Sequence, residues 1–588
     1  MKKKVLAFLF ALLIIFKGFS LDNGQKIWTV DSDVYQGIKS LYIMEGLAAP
    51  SSSGPWSTNE LLEMTSLLKD DSSYLYKYVM KELTKAPRIM PRENLGINLE
   101  TELNLELYTR TNTDSDFANL ETLAYDRQDM KPFFQFNWET FATDTFYSYV
   151  GFDVRNTFHG NEKGDLGYSN FFTNLLFFQD LSLNIPLLSP NFPQRGFVSF
   201  GAKNWNLQIG KDRLSWGNGE TGNFAISNNL PAHNFVRFST FFNSLKYSFL
   251  TSFFPHQKMY YKGDNWSNNS PQYTKTQGLR FYLAHRIEGR FFNDKLNTSL
   301  TEAIIYQSDD GTVNPRIFNP VDMFHNYYIR SNANSTLIFE FDYAPIKKLN
   351  IYGQIIVDDL AIPGEGISSE KPVQYPDAMG YMLGAKTSFE LNKGVFYGSF
   401  EAVKTDPFLY LRDAADPYAV NPSGYGIDYV VAFSEFNNMY GNHYDEYFLG
   451  YKYGGDALVF NLNAGWNNYK NLSIEGNVFY MLHGTFDKWT TWTQIGDGTN
   501  PNYPKYDLFE GLTSTHPTNN KKDDADAQTR DAISQTLICG VNVTYKVKPT
   551  VKLFAQQDVV FVNNYGNHAG VQKLDFQLAL GANFSFEY

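Results

Sequence analysis

The sequence predicts a large antiparallel transmembrane β-barrel behind a small helical module. Three observations carry that prediction. From about residue 94 onward, apolar and polar residues alternate with period two. In LGINLETELNLELY, Leu95, Ile97, Leu99, Leu103, Leu105 and Leu107 share one face, and Asn98, Glu100, Glu102, Asn104 and Glu106 the other. Aromatic residues make up 17% of the chain, with 50 Phe and 39 Tyr, yet mean hydropathy is -0.36, so apolar residues are interleaved rather than massed. The stretch LDFQLALGANFSFEY ends the chain in the same two-faced pattern, Leu574 to Tyr588. Strands of this kind, joined by turns, put one face in lipid and the other in a wet lumen.

The elements follow in order. Lys2–Lys4 precede an apolar run, Val5–Phe16, and then Gly18 and Ser20. This is the pattern of a secretory signal peptide, expected to be cleaved after Ser20, and it is short of the ~20 residues that span a bilayer. Lipid attachment is not expected, because no cysteine follows the run. Residues 21–93 read as a periplasmic module of three short helices. Val34, Ile38, Leu41 and Met44 recur at helical spacing after Asp31 or Ser32, with Gly46 as the stop. Ser57-Thr58-Asn59-Glu60 is a capping box, and a third helix covers Ser73 to Thr84.

Residues 94–588 form the barrel. Alternation recurs at Phe134–Trp138, Phe146–Val154, Trp205–Ile209, Leu245–Phe249 and Leu279–Leu283. Lys203-Asn204 reads as a tight turn, whereas His256–Gln277, Leu360–Ala378, Thr405–Glu446 and Phe486–Ser534 are long loops rich in Tyr, Asn, Gly, Pro and Asp. Short turns belong to the periplasm and long loops to the outside, and the length fits about 18 strands. A secreted sandwich or propeller also alternates. The charged inner face, the aromatic outer face and a final strand without edge cover favour a closed barrel.

Composition excludes several functions. A net charge of -12 argues against nucleic acid. A single cysteine, Cys539, allows neither an intrachain disulfide nor a cysteine zinc site. Gly217-Asn218-Gly219-Glu220-Thr221-Gly222 lacks the Gly-Lys-Ser/Thr of a phosphate loop, so its glycines are expected to let backbone pack closely. The nine histidines show no catalytic spacing and no Gly-x-Ser-x-Gly occurs, so a non-catalytic protein is expected, without metal or cofactor. Asp358-Asp359 reads as a solvated strand end rather than a cation site.

Three residue groups are candidates for function. Arg213, Trp216, Asn228, Asn229 and Arg237 combine an aromatic face with bidentate polar groups, as sugar binding requires. The alternative is that they fill the interior. Arg280, Arg286 and Arg290 form a lumenal ladder, with His285 in the apolar register. Glu100, Glu102, Glu106, Glu288 and Glu302 could oppose it, either as a field that holds ions or an acidic chain or as a neutral packing network. Phe584, Phe586 and Tyr588 form an apolar C-terminal signature of the type read by barrel-assembly machinery.

Several stretches together resemble the Wzi family of capsule-assembly proteins. They are VYQGIKSLYIMEGL and WSTNELLEM near the start, IGKDRLSWGNGETGNFAISNNLP (Ile209–Pro231), YLAHRIEGRF, RIFNPVDMFH, IYGQIIVDD and GYKYGGDA. Phe486–Ser534 has no counterpart. The resemblance implies an outer-membrane barrel with a periplasmic helical module that binds or anchors surface polysaccharide. Its expected partners are outer-membrane lipid, surface polysaccharide and the barrel-assembly machinery, and the barrel is expected to be monomeric. A porin or transporter for small polar solutes and a surface adhesin remain alternatives.

Overall fold

The computed structural model describes residues 23–112, 131–154, 170–175, 178–183, 194–257, 278–308, 310–324, 333–360, 373–374, 377–411, 427–437, 441–490, 495–496, 512–514 and 526–588. The predicted signal segment, 1–20, lies outside these residues, as does most of the 486–534 loop.

Three helices open the described chain: α1 (Asp33–Glu45), α2 (Thr58–Thr65) and α3 (Tyr74–Leu83). Each begins on a serine, Ser32, Ser57 or Ser73, whose side chain accepts from a backbone N–H one turn in. Gly46 ends α1 in the left-handed region, at φ 76°. The helices bury Val34, Ile38, Leu41, Leu61, Leu75 and Val79 against one another.

Eighteen strands then form a closed antiparallel barrel. They are β1 (Leu95–Arg110), β2 (Phe134–Ala142), β3 (Phe146–Val154), β4 (Arg195–Ala202), β5 (Trp205–Asp212) and β6 (His233–Phe241). Next come β7 (Leu245–Phe254), β8 (Leu279–Phe291), β9 (Leu296–Ser308), β10 (Ala333–Ile346), β11 (Leu349–Asp359) and β12 (Ala378–Leu391). The last six are β13 (Gly394–Thr405), β14 (Ala457–Asn467), β15 (Leu472–His483), β16 (Ser534–Lys548), β17 (Val551–Asn563) and β18 (Gln572–Glu587). Each pairs with its neighbour in sequence order, and β18 closes on β1 from Gln577↔Arg110 to Glu587↔Glu100. The lower half of β1 also pairs with β2, while its upper end pairs with the hairpin strand Phe178–Leu183.

Alternation sorts the faces. On β18, Leu574, Phe576 and Leu580 point outward and are exposed, while Asp575 and Gln577 are buried on the inner side. The tight turns, such as Ala202↔Trp205 across Lys203-Asn204, gather at one rim. The helical module sits at that rim: Lys348 N donates to Ile43 O (2.6 Å) and Ala48 N to Asp294 O (2.8 Å). Short turns mark the periplasmic rim of outer-membrane barrels in general, and the long connections leave from the other end. Among the described residues, no helix is long and apolar enough to cross a membrane.

Candidate functional site

The lumen is entered from both ends. From the periplasmic side the link between α1 and α2 rises into the barrel. Its carbonyls and hydroxyls are taken up by charged residues of the wall, which an even-numbered register on β7 and β8 turns inward. Arg290 donates to the carbonyls of Ala49 (2.8 Å) and Ala48 (2.9 Å). Arg286 donates to Ser52 Oγ (3.0 Å) and holds Glu340 of β10 through both terminal guanidinium nitrogens. Lys246 bridges to Glu60 (2.5 Å) and donates to Ser53 O (2.9 Å), and Glu288 accepts from Ser51 (3.0 Å) and Ser53. Arg237 donates to Pro55 O and to Asn206. Asn297 and Asp342 grip the backbone of Ala49, and Asn350 reaches Leu47 O. Burial raises the Glu60 carboxyl above its ordinary range, and Lys246 pulls against that rise.

From the outer side, residues 213–230 fold inward after β5. Ser215 and Trp216 pair antiparallel with Gly54 and Ser53, so the two inserts meet inside the barrel. Gly217 turns there at φ 132°, and a Cβ at this position would run into the Asn223 side chain. The predicted close packing of this glycine run is therefore what the fold uses. Asn218 donates to Asp342 (2.8 Å), Lys386 pairs with Glu220 (2.5 Å), and the N–H groups of Glu220 and Thr221 donate to Glu401 (2.8 and 2.9 Å).

Above this insert the loops build an apolar cap. Phe224, Tyr410, Tyr429, Phe448 and Tyr451 are buried together with the upper wall. Tyr410 OH donates to Phe224 O (2.8 Å) and Tyr429 OH to Asn334 O (2.8 Å). Arg280, the top rung of the ladder, holds the same cap through the Asp428 carboxylate (3.2 Å) and Val430 O (3.0 Å).

Beside the inserts lies a polar cavity of about 420 Å³ between α1, the 215–228 segment and the inner faces of β12–β15. Lys39, Glu220, Asn228, Tyr397, Asn463 and Glu475 line it. Tyr397 OH and Asn463 Nδ2 both donate to Glu475 (2.8 and 2.7 Å). Burial, and then the charge of Lys386, push the Lys39 ammonium down to about 8.

The predicted residues are distributed unevenly over this arrangement. Arg213 and Asn228 are exposed and adjacent, the guanidinium donating to Asn228 O, and Asn229 is half-buried beside them. Trp216 and Arg237 have no exposed surface; they anchor the two inserts instead of facing solvent. Glu100, Glu102 and Glu106 do line the inner wall, but at the seam, where Asn137, Ser585, Asn583 and Lys131 N meet them. Glu302 is a correction. On β9 it shares parity with Leu300 and Ile304 and points to the outer wall, where it meets His285 at 2.8 Å. Asp358 is a second correction: it is buried and accepts from Tyr410 N (2.9 Å) instead of ending a strand in water. Phe584, Phe586 and Tyr588 share the outer register of β18, and Tyr588 exchanges both backbone bonds with Leu99 (3.2 and 2.7 Å). Sequence reasoning missed Lys246, Glu340, Asp342, Lys386 and Glu401. Each is a charge at inner parity on its strand, and that is the one signal that marks it.

No family model matches the chain, and no curated protein matches it. Solved structures do. Wzi of Escherichia coli, an outer membrane protein involved in group 1 capsule assembly and described as a carbohydrate-binding β-barrel, superposes with a TM-score of 0.54 at 13% identity. The match covers 97% of this chain and 99% of that one. A BenF-like porin from Pseudomonas fluorescens has a TM-score of 0.37 at 7% identity, over 84% of this chain and 99% of that one. OprD of Pseudomonas aeruginosa has 0.36 at 11%, over 84% and 95%. The fold is an outer-membrane β-barrel similar to Wzi. At this identity the likeness is one of fold alone.

Proposed function

We propose that this barrel binds or anchors a surface polysaccharide and performs no chemistry on it. The observation that carries the reading is the meeting of the two inserts at Ser53/Gly54 and Ser215/Trp216. A solute pore needs a continuous water path, and two protein segments held through buried charges meet inside this lumen. An obstructed barrel suits display and grip at the surface. The similarity to a barrel described as carbohydrate-binding points the same way. Arg213 and Asn228 supply the accessible donor and amide that a glycan, and an acidic glycan above all, would use. In this reading the chain is exported by its N-terminal signal, is placed by the barrel-assembly machinery and works as a monomer in outer-membrane lipid.

The test is retention of polysaccharide on cells carrying Arg213→Ala with Asn228→Ala, alongside binding of the purified barrel to a glycan array. Retention and binding should both fall. Unchanged retention removes this site, and unchanged retention in cells lacking the whole barrel removes the function.

A transport role is the second reading, favoured by the polar cavity of about 420 Å³ beside the plug. It requires that cavity to open to the outside.

A further inference from the structure

The outward-facing pair His285–Glu302 is out of place on a wall that meets lipid. Bare ionisable groups in the apolar band are costly. Here they are covered. After β9 the chain turns back down the outer surface, and residues 310–324 lie against it as a strap. Ile317 and Phe324 are fully buried on Phe281, Leu283, Ile304 and Tyr306. The Phe324 ring stacks on His285 with centroids 4.8 Å apart.

The strap reaches deep. Its Pro320 carbonyl lies 3.1 Å from His285 Nδ1 and also accepts from Tyr247 OH. His285↔Glu302 is six residues below the rim pair Leu279↔Ser308. At about 3.3 Å per residue and a tilt near 40°, that is about 15 Å below the rim. The apolar band of such barrels is about 25 Å tall, so a strap that reaches this depth enters it.

Irregular backbone survives at that depth only when its polar groups are satisfied. In the strap, Ile317 N donates to Asn314 O (3.1 Å), Asn319 N to Arg316 O (2.9 Å), Val321 N to Asn319 Oδ1 (3.3 Å) and Asp322 N to Asn319 O (3.3 Å). The latch is also neutral as a unit. A carbonyl only accepts, so Nδ1 carries a proton, and Nε2 and the Glu302 carboxyl 2.8 Å away share a second one. Whichever atom holds that proton, the pair bears no net charge. On the side away from the barrel the strap shows Phe318, Val321 and Met323, exposed by 44%, 81% and 59%.

We propose that residues 310–324 are a strap whose 317–324 part is immersed in lipid, latched to the outer wall through His285, Glu302 and Pro320, with Phe318, Val321 and Met323 contacting outer-leaflet acyl chains. The wall it lies on faces the bilayer above and below it through Leu279, Ile287 and Phe291, so lipid is the medium its outer side meets.

Site-directed spin labelling tests this on the whole barrel, in vesicles of phosphatidylethanolamine and phosphatidylglycerol. The labels are attached to Val321→Cys and, as a reference, Asp310→Cys, with Cys539→Ser removing the exposed native thiol. The label at 321 should be open to oxygen and shielded from a water-soluble nickel chelate, and that at 310 the reverse. Nickel access at 321 equal to that at 310 overturns the proposal. Shielding from both relaxers together with spin–spin broadening also overturns it, by placing a second copy there. His285→Leu, folded by the criterion of heat-modifiable migration, should raise mobility at 321 several-fold; unchanged mobility removes the latch.

Discussion

Arg286 of β8 donates to Ser52 Oγ at 3.0 Å while the same guanidinium holds Glu340 on the neighbouring wall. One buried side chain therefore ties the periplasmic insert to the barrel. Glu288 (3.2 Å) and Thr301 (3.1 Å) complete its set of acceptors. The ladder that periodicity places in the lumen is thus a fastening, with Arg280 on the outer cap, Arg286 at mid-height and Arg290 at the base.

Removing that fastening should be expensive. Arg286→Met leaves Glu340 and Glu288 buried without their cation, and breaking such a pair costs about 3–5 kcal/mol. Urea unfolding of the barrel in detergent micelles should register a loss of that order. Ser52→Ala removes one hydrogen bond, worth about 0.5–1.5 kcal/mol, and should show as faster protease cleavage between α1 and α2 with the barrel transition in place.

The plug should also report pH through Lys39. Its pKa is pushed from an ordinary 10.5 to about 8 by burial and by Lys386, against Glu220 and Asp342. Between those values the unfolded chain holds a proton that the folded one has released. Stability therefore rises as pH goes from about 8 to about 10.5, and the cost of the charged lysine is fully present below 8. Thermal unfolding across this window should show the rise for the parent chain. In Lys39→Met it should be flatter.

The outer face of the closing strand gives a third test. Leu580 sits mid-wall and Phe586 near the periplasmic rim, both outward. A lysine at mid-wall costs about 2–4 kcal/mol and one near the interface about 0–1. Leu580→Lys should therefore destabilise the folded barrel far more than Phe586→Lys. If residues 584, 586 and 588 serve as an assembly signal, Phe586→Lys should still slow insertion in cells more than Leu580→Lys does. Pulse-chase acquisition of heat-modifiable migration measures it.

Much of the architecture was legible because a strand's faces are set by parity. LDFQLALGANFSFEY divides as the alternation requires, with Leu574 and Phe576 outside and Asp575 and Gln577 inside. Serine caps and Gly46 mark the helices for equally local reasons. Charge alone predicts an inward place for Glu302, but Leu300 and Ile304 on either side share its parity and carry it outward. The buried roles of Trp216 and Arg237 were not legible at all. Their partners, Ser53 and Pro55, are more than a hundred residues away, and no local pattern encodes which loop will enter a lumen. The five candidate residues therefore split: Arg213 and Asn228 are exposed, Asn229 is half-buried beside them, and Trp216 and Arg237 hold the plug.

Planar-bilayer recording tests the central claim most directly. The intact barrel should insert and show no steady conductance, whereas a variant lacking both inserts, 23–93 and 214–230, should open to a stable ionic current. A steady open level in the intact protein would contradict the account and make the barrel a pore.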